Sequence, residues 1–301
     1  MTAPAAPATA TPTRTNAPAG TRHVPGAVLV LIAMAVLHTG SALATELFPA
    51  LGPTGTTWLR LTFASAFLLA FTGRSLWRVL RAARCADLAA TALLGLVSAA
   101  MMLLFSEASA RLPLGTATAL EFLGPLTVAV VASRRSRELA WLAIAAAGVL
   151  LLTSPWTGAT SPAGVLFGLG SAACWALYVV GTAHVGSRFS ASHALAVSLT
   201  VAALAAAPFG APTAVAALTW QTVAAAAGIA VLMPLVPFLL EMKALQRMGK
   251  TTYGTLAGLE PAVSLLAGMI LIAQTPDALQ LAGSALVVTA GIGATRAESR
   301  R

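Results

Sequence analysis

Residues 119–135, ALEFLGPLTVAVVASRR, place one carboxylate, Glu121, inside an apolar run that ends at two arginines. No Lys or Arg lies within the run to neutralise this acid, and Pro125 follows it one helical turn later. The apolar stretch 113–132 has the length of about 20 residues that an α-helix needs to cross a bilayer. The sequence therefore predicts a membrane-spanning helix with an acid in its interior.

The composition of the whole chain is that of a membrane protein. The 301 residues are 58% hydrophobic and 9% charged, whereas soluble domains carry roughly 25% charged residues. The net charge of +9 does not indicate a nucleic-acid partner, because the basic residues stand in short clusters between apolar runs rather than on one solvated face. Cys85 and Cys174 lack the spacing of a metal site, so no metal and no cofactor are expected.

Breaking the chain at charged residues and Pro/Gly clusters predicts an all-α integral membrane protein with ten transmembrane helices. If the N-terminus is cytoplasmic, every Lys and Arg except Arg60 and Arg111 falls in a cytoplasmic segment or tail, as the positive-inside rule requires. Both termini are therefore expected in the cytoplasm. The predicted spans lie at approximately 27–45, 55–72, 87–106, 113–132, 138–154, 163–181, 190–208, 219–240, 252–272 and 278–294.

The two halves of the chain repeat each other. A shift of 139 residues aligns GTATALEFLGPL (115–126) with GTLAGLEPAVSL (254–265), so that Glu121 meets Glu260. These segments lie in the fourth and ninth spans, so the repeat unit has five helices, and an odd number inverts the second copy. Inverted repeats are typical of secondary transporters, whose substrate site lies at the repeat interface near the bilayer midplane.

The predicted domain order follows from this repeat. Residues 1–24 are mainly Ala, Pro and Thr, which cannot bury enough apolar surface to fold, and predict a disordered cytoplasmic tail. The first five-helix repeat is expected at 25–154, the second at 155–295, and a cytoplasmic C-terminal tail at 296–301.

The two duplicated acids are the principal candidates for binding substrate or protons. Each lies about eight or nine residues into its span, which is roughly 12–14 Å deep, where an acid costs on the order of 2.5–3.5 kcal/mol. A hydrated cavity, hydrogen-bond partners or a retained proton would make Glu121 and Glu260 tolerable there, and a purely structural role stays open. Pro125 has no N–H to donate to the backbone carbonyl of Glu121, four residues before it, so that carbonyl lacks its helical hydrogen bond. Thr118 flanks the same acid at helical spacing.

Four further side chains have two interpretations each. His38, in the first span, could bind substrate or relay a proton, or it could be a neutral packing residue. Trp175 and Tyr178, one turn apart in the sixth span, could stack on a ligand or simply pack. Arg60 could meet an anionic group, or its side chain could snorkel to the outer interface.

Four segments resemble the EamA-type drug/metabolite transporter superfamily, and within it the exporters of threonine and homoserine. They are ALEFLGPLTVAVVASRR (119–135), CWALYVV (174–180), LEMKAL (240–245) and YGTLAGLEPAVSLLAGMI (253–270). The similarity runs from about residue 25 to 295. The resemblance implies a ten-helix inner-membrane exporter of small amino acids or related metabolites, coupled to the proton gradient.

The favoured function is therefore proton-coupled export of small, threonine- or homoserine-like amino acids across the plasma membrane. A zwitterion would need an acid for its ammonium group, and its carboxylate could use a half-helix N-terminus. Export of another metabolite or a drug-like amphiphile is the alternative, and a homodimer is left open. An intramembrane enzyme is disfavoured, because the spans hold no Asp pair, no HExxH and no GxSG. A passive scaffold would not explain the duplicated acids.

Overall fold

The computed structural model describes residues 25–133, 139–154, 160–185, 189–245, 247–248 and 250–299. Within these ranges all regular secondary structure is helical, as predicted. The predicted tail at 1–24 lies outside the described residues, and the last helix runs through Ser299, into the predicted C-terminal tail.

Twelve α-helices and one π-helical turn make up the described part of the chain. They are α1 Gly26–Glu46, α2 Phe48–Ala82, α3 Cys85–Ser109, α4 Leu114–Ser133, α5 Leu139–Thr153, α6 Pro162–Val185, α7 Ala191–Ala216, α8 Trp220–Ala230, the π turn Val231–Leu235, α9 Val236–Leu245, α10 Lys250–Ala257, α11 Glu260–Leu271 and α12 Ala278–Ser299.

Seven helical segments of the described chain are long and apolar enough to cross a membrane. They are Gly26–Glu46, Cys85–Ser109, Leu114–Val131, Pro162–Thr182, Ser192–Ala216, Trp220–Glu241 and Ala278–Arg296. Leu139–Thr153 and Thr255–Leu271 are apolar but shorter. The molecule is thus a helical integral membrane protein, and the count of ten spans stays a prediction.

Small residues lie where helices meet, and large apolar side chains face outward. A Cβ on Gly124 of α4 would lie 2.1 Å from the carbonyl oxygen of Ala172 in α6, so the two backbones are in contact there. By contrast, Phe71 and Ile270 are 74% and 77% exposed. This arrangement is typical of membrane proteins, because lipid tails solvate apolar side chains and small residues allow close helix approach.

Several helices are interrupted, and the interruptions have local causes. α2 is broken at Gly52 and Gly73, whose φ angles of 70° and 47° favour glycine. Met233, in the π turn before Pro234, has a non-helical φ of −152° and ψ of 102°. α10 ends at Ala257, whose carbonyl would accept from residue 261 in a continuous helix, but Pro261 has no N–H.

The helices form a row through the centre of the bundle. α1 packs on α11, α11 on α4, and α4 on α6. On either side, α2 packs on α7 and α8, α3 on α6 and α7, α1 on α9, and α5 on α12. α4 continues through Pro125 as one helix. The duplicated acids belong to α4 and α11, which are direct neighbours at the centre of this row.

Candidate functional site

A cavity of about 540 Å³ lies in the described part of the bundle, next to the central row of helices. Its walls come from α1, α2, α3, α4, α6, α7, the π turn, α9, α10 and the first residue of α11. Six of the seven side chains singled out from the sequence line it, namely His38, Glu121, Pro125, Trp175, Tyr178 and Glu260. The structure therefore brings together residues that are up to 222 positions apart in the chain.

Thr118, the seventh, is placed elsewhere. Its hydroxyl lies 2.7 Å from the hydroxyl of Ser264, and both residues are buried. Ser264 also lies 3.3 Å from the backbone oxygen of Leu114. Thr118 therefore joins α4 to α11 through a buried hydrogen bond and lies outside the set of cavity-lining residues.

Glu121 is held by a serine of the neighbouring helix. The hydroxyl of Ser171, on α6, makes a short hydrogen bond with Oε1 of Glu121. The same hydroxyl lies 3.0 Å from the backbone oxygen of Met101, and Ser171 is fully buried. Because a serine hydroxyl carries one proton, it cannot donate to both acceptors at the same time.

Glu260 faces a histidine across the contact between α11 and α1. Nε2 of His38 lies 3.8 Å from Oε1 of Glu260, beyond hydrogen-bond distance. The side chains are 3% and 14% exposed, respectively. Within the described chain, neither ring nitrogen of His38 has a hydrogen-bond partner. A buried imidazole beside a partly buried carboxyl group is well placed to share a proton or to bind a third polar group.

Arg60 belongs to the cavity, and the interpretation that it snorkels to the outer interface is wrong. Its side chain is 3% exposed and lines the same cavity as Glu121. Nη1 donates to the sulfur of Met233 at 2.8 Å. Nη2 has no hydrogen-bond partner among the residues that the structure describes.

Glu241 and Tyr253 are cavity residues that sequence reasoning missed. Both line the cavity. Glu241 lay one residue past the predicted end of the eighth span, but α9 continues to Leu245. The signal that could have found it is the acid in LEMKAL (240–245), a segment already noted for its resemblance.

Aromatic side chains form one wall beside these polar groups. The rings of Phe122 and Trp175 meet edge to face, with centroids 6.4 Å apart and planes at 72°. Tyr178 and Phe105 line the same cavity. Such a wall can contact the apolar part of a ligand while the charged groups bind its polar part.

Polar contacts join the helices at one end of the bundle. The hydroxyls of Thr57 and Ser106 are 2.5 Å apart, which links α2 to α3. The backbone N–H of Leu114 donates to the side-chain oxygen of Gln274 at 3.0 Å. At the opposite end, the lining of the cavity extends to Thr182, close to the last residue of α6.

A helical membrane bundle around a cavity with buried charges has the architecture of a small-molecule transporter. The EamA-like transporter family matches residues 162–295. The threonine/homoserine exporter RhtA of Escherichia coli K12 is 36% identical over 276 residues, which are 89% of this chain and 90% of that protein. RhtA of Salmonella typhimurium LT2 is 36% identical over 289 residues, 92% of this chain and 95% of that protein. The chain therefore belongs to the EamA-like transporter family.

A solved crystal structure of a protein shares the fold. It superposes with a TM-score of 0.62 at 18% identity, and the match covers 92% of this chain and 98% of the other. The agreement over nearly the whole of both chains indicates that the helical arrangement is an established one.

Proposed function

We propose that the protein exports small amino acids that resemble threonine and homoserine across the bacterial plasma membrane, in exchange for protons. Relatives that match nearly the full chain are named exporters of these two amino acids. The observation that carries the proposal is the cavity, in which Glu121, Glu241 and Glu260 lie together with Arg60. These groups can bind both charges of a zwitterion, and a carboxyl group can also carry a proton.

Two inverted repeats of five spans are part of the proposal, and the helix contacts support them. Let α8, the π turn and α9 be the eighth span, α10 and α11 the ninth, and α12 the tenth. If the two halves are related by symmetry, each span corresponds to the span five places away. The contact of α3 with α6 then corresponds to the contact of the eighth span with α1, and both contacts are present. Likewise, the contact of α4 with α6 corresponds to the contact of the ninth span with α1, and both are present. The contacts α2 with α7, α4 with α11 and α5 with α12 map onto themselves. A two-fold pseudosymmetric bundle has this pattern.

The position of the cavity suits an exporter. Its lining reaches Thr182, Leu195, Glu241 and Tyr253, each within about five residues of a helix end. If both termini are cytoplasmic, as proposed, these four helix ends face the cytoplasm. Substrate would then enter from the cytoplasm while the contacts of Thr57 and its neighbours close the outer end.

The surroundings of Glu121 suit a carboxyl group that binds and releases a proton. When the Ser171 hydroxyl donates to the Met101 carbonyl, its oxygen can accept a hydrogen bond from the O–H of a neutral Glu121. When Glu121 is ionised, the hydroxyl can turn and donate to the carboxylate instead. The serine can therefore serve both protonation states without a change in its position.

The experiment is efflux of preloaded, labelled threonine and homoserine from cells that express the protein, beside Glu121→Gln. We expect faster efflux than from cells without the protein, and its loss both with a protonophore and in the variant. Glu107→Gln is the matched control, because Glu107 pairs with Arg111 at the end of α3 and does not line the cavity. Rapid efflux from Glu121→Gln cells would show that Glu121 has only a structural role.

Export of a drug-like amphiphile is the second candidate, and the aromatic wall of the cavity favours it. Phe105, Phe122 and Trp175 lie beside the methionines Met34, Met101 and Met102, a combination that suits a large apolar ligand. The same cells should be tested against a panel of cationic amphiphiles. Resistance or efflux for these compounds, without efflux of either amino acid, would replace the first proposal with this one.

A further inference from the structure

We propose that Arg60 binds the carboxylate of the transported molecule and that Glu121, in the same cavity, binds the ammonium group. This inference rests on amino-acid export as the function and identifies the groups that would select that substrate class. It makes the guanidinium of α2 a specificity-determining group of the cavity.

The hydrogen bonding of Arg60 leaves it ready for a ligand. A buried guanidinium is normally paired with a carboxylate, yet no ion pair joins Arg60 to an acid within the described chain. Nη1 donates to the thioether of Met233, which is a weak acceptor. Nη2, on the same fork, has no protein acceptor among the described residues. A carboxylate can accept from both nitrogens in the bidentate geometry that guanidinium groups favour.

A structural role as counter-ion to Glu121 explains this geometry less well. The two charges attract each other, but Oε1 of Glu121 is engaged by Ser171 and Arg60 is directed to Met233. Each group therefore keeps hydrogen-bonding capacity for another molecule. The ammonium and carboxylate of an α-amino acid are attached to the same carbon, so their receptors must face one cavity, as these two residues do.

The other charges around the cavity argue for a zwitterion over a multiply charged anion. Arg60 shares the cavity with Glu121, Glu241, Glu260 and the imidazole of His38. A phosphate dianion at Arg60 would face three carboxyl groups and gain one cation. An amino acid brings its own positive charge to those acids, and its carboxylate satisfies the guanidinium. The cavity therefore fits a ligand with one charge of each sign.

The test compares L-threonine with L-threoninol, in which a hydroxymethyl group replaces the carboxylate. Calorimetry measures the binding of both to the purified full-length protein. We expect the wild type to bind threonine at least about tenfold more tightly than threoninol, as loss of a charged hydrogen-bond partner implies. In Arg60→Gln the ratio of the affinity for threonine to the affinity for threoninol should fall to about one, while the affinity for threoninol stays unchanged. Arg111→Gln, at the end of the bundle, should keep the wild-type ratio.

Unchanged threoninol binding shows that the variant is folded. If Arg60→Gln cannot be purified, Arg60→Lys retains the charge without the planar fork and should give a smaller ratio than the wild type. A wild-type ratio in either variant, in a protein that exports threonine, would overturn the assignment of Arg60 while export stands. Equal binding of threonine and threoninol by the wild type would also overturn the assignment of Arg60 while export stands. A wild type that binds and exports neither threonine nor homoserine would overturn the amino-acid function, and with it this assignment.

Discussion

Nε2 of His38 lies 3.8 Å from Oε1 of Glu260, at the point where α1 packs on α11. Both side chains line the cavity, and the separation is slightly too long for a hydrogen bond. A small movement of either helix, or a ligand between the two groups, would complete a hydrogen-bonded contact. The pair is therefore a place where ligand binding and helix movement can influence each other.

We expect His38 and Glu260 to act as a unit in transport. The variants His38→Gln and Glu260→Gln should each lower threonine efflux at least about tenfold, as expected if the two groups complete a hydrogen bond, directly or through the ligand, during transport. The double variant should be no slower than the slower single variant, because the second change removes a contact that is already lost. Efflux is measured per amount of protein in the membrane. Effects that multiply in the double variant would show that the residues act independently.

Ser171→Ala should impair transport through Glu121. The change removes the hydroxyl that bonds the partly buried carboxyl group, and loss of such a hydrogen bond costs about 1–3 kcal/mol. We expect efflux to fall about 5- to 150-fold. Ser190→Ala is the control, because Ser190 is exposed before α7. Normal efflux from Ser171→Ala cells would mean that the serine is dispensable for the function of Glu121.

Met233→Leu should tighten the binding of amino acids. Leucine is similar in size to methionine but lacks the sulfur that accepts from Arg60, so the guanidinium would lose a competing partner. We expect threonine to bind about two- to fivefold more tightly, the equivalent of roughly 0.5–1 kcal/mol, and threoninol to bind as before. Calorimetry on the two ligands measures both. Weaker binding of threonine alone would show that Met233 helps to position Arg60 for the ligand.

Gly124→Ala and Gly228→Ala should have opposite effects on stability. A Cβ on Gly124 would lie 2.1 Å from the Ala172 oxygen, whereas a Cβ on Gly228 meets nothing within 4 Å. The first change should cost about 1–3 kcal/mol through overpacking, and the second, on an exposed helical residue, should gain about 0.5–1 kcal/mol. Thermal unfolding in detergent measures the difference. Equal midpoints would mean that α4 and α6 are less closely packed than the structure indicates.

The orientation of the cavity can be tested with introduced cysteines. Cys85 and Cys174 are first replaced by alanine, and Thr182→Cys or Leu218→Cys is then added. A membrane-impermeant maleimide should label Thr182→Cys only in inside-out vesicles, because its helix end faces the cytoplasm in the proposed orientation. Leu218, exposed between α7 and α8, should react only in right-side-out vesicles. The reverse labelling would invert the proposed topology.

The sequence was sufficient to predict the class of fold and the two central acids. An acid in an apolar helix has a high free-energy cost, so Glu121 and Glu260 stand out without any knowledge of the packing. Each predicted span overlaps an observed helix, because the length of an apolar run is fixed by the bilayer. The eighth span, however, crosses the π turn, and the ninth crosses the break between α10 and α11. The structure places both acids in one cavity.

The rest of the site depends on helix ends and rotation, which one sequence does not specify. From the sequence, Glu241 lies one residue beyond the predicted eighth span and Arg60 lies within reach of the outer interface, because both positions depend on the predicted span ends. Thr118 precedes Glu121 by three residues, which turns it about 60° around the helix. That rotation is enough to direct Thr118 to Ser264 on α11 and outside the cavity lining.

The different partners of the two acids bear on the ancestry of the molecule. Glu121 meets Ser171 where α4 packs on α6, and Glu260 meets His38 where α11 packs on α1. In a dimer of two identical halves, symmetry would give both acids the same partner. Fusion of the halves into one chain, as the proposed repeat implies, removes that restriction and lets each side of the cavity evolve separately. An amino acid has two unlike ends, and a fused chain can provide a different receptor for each.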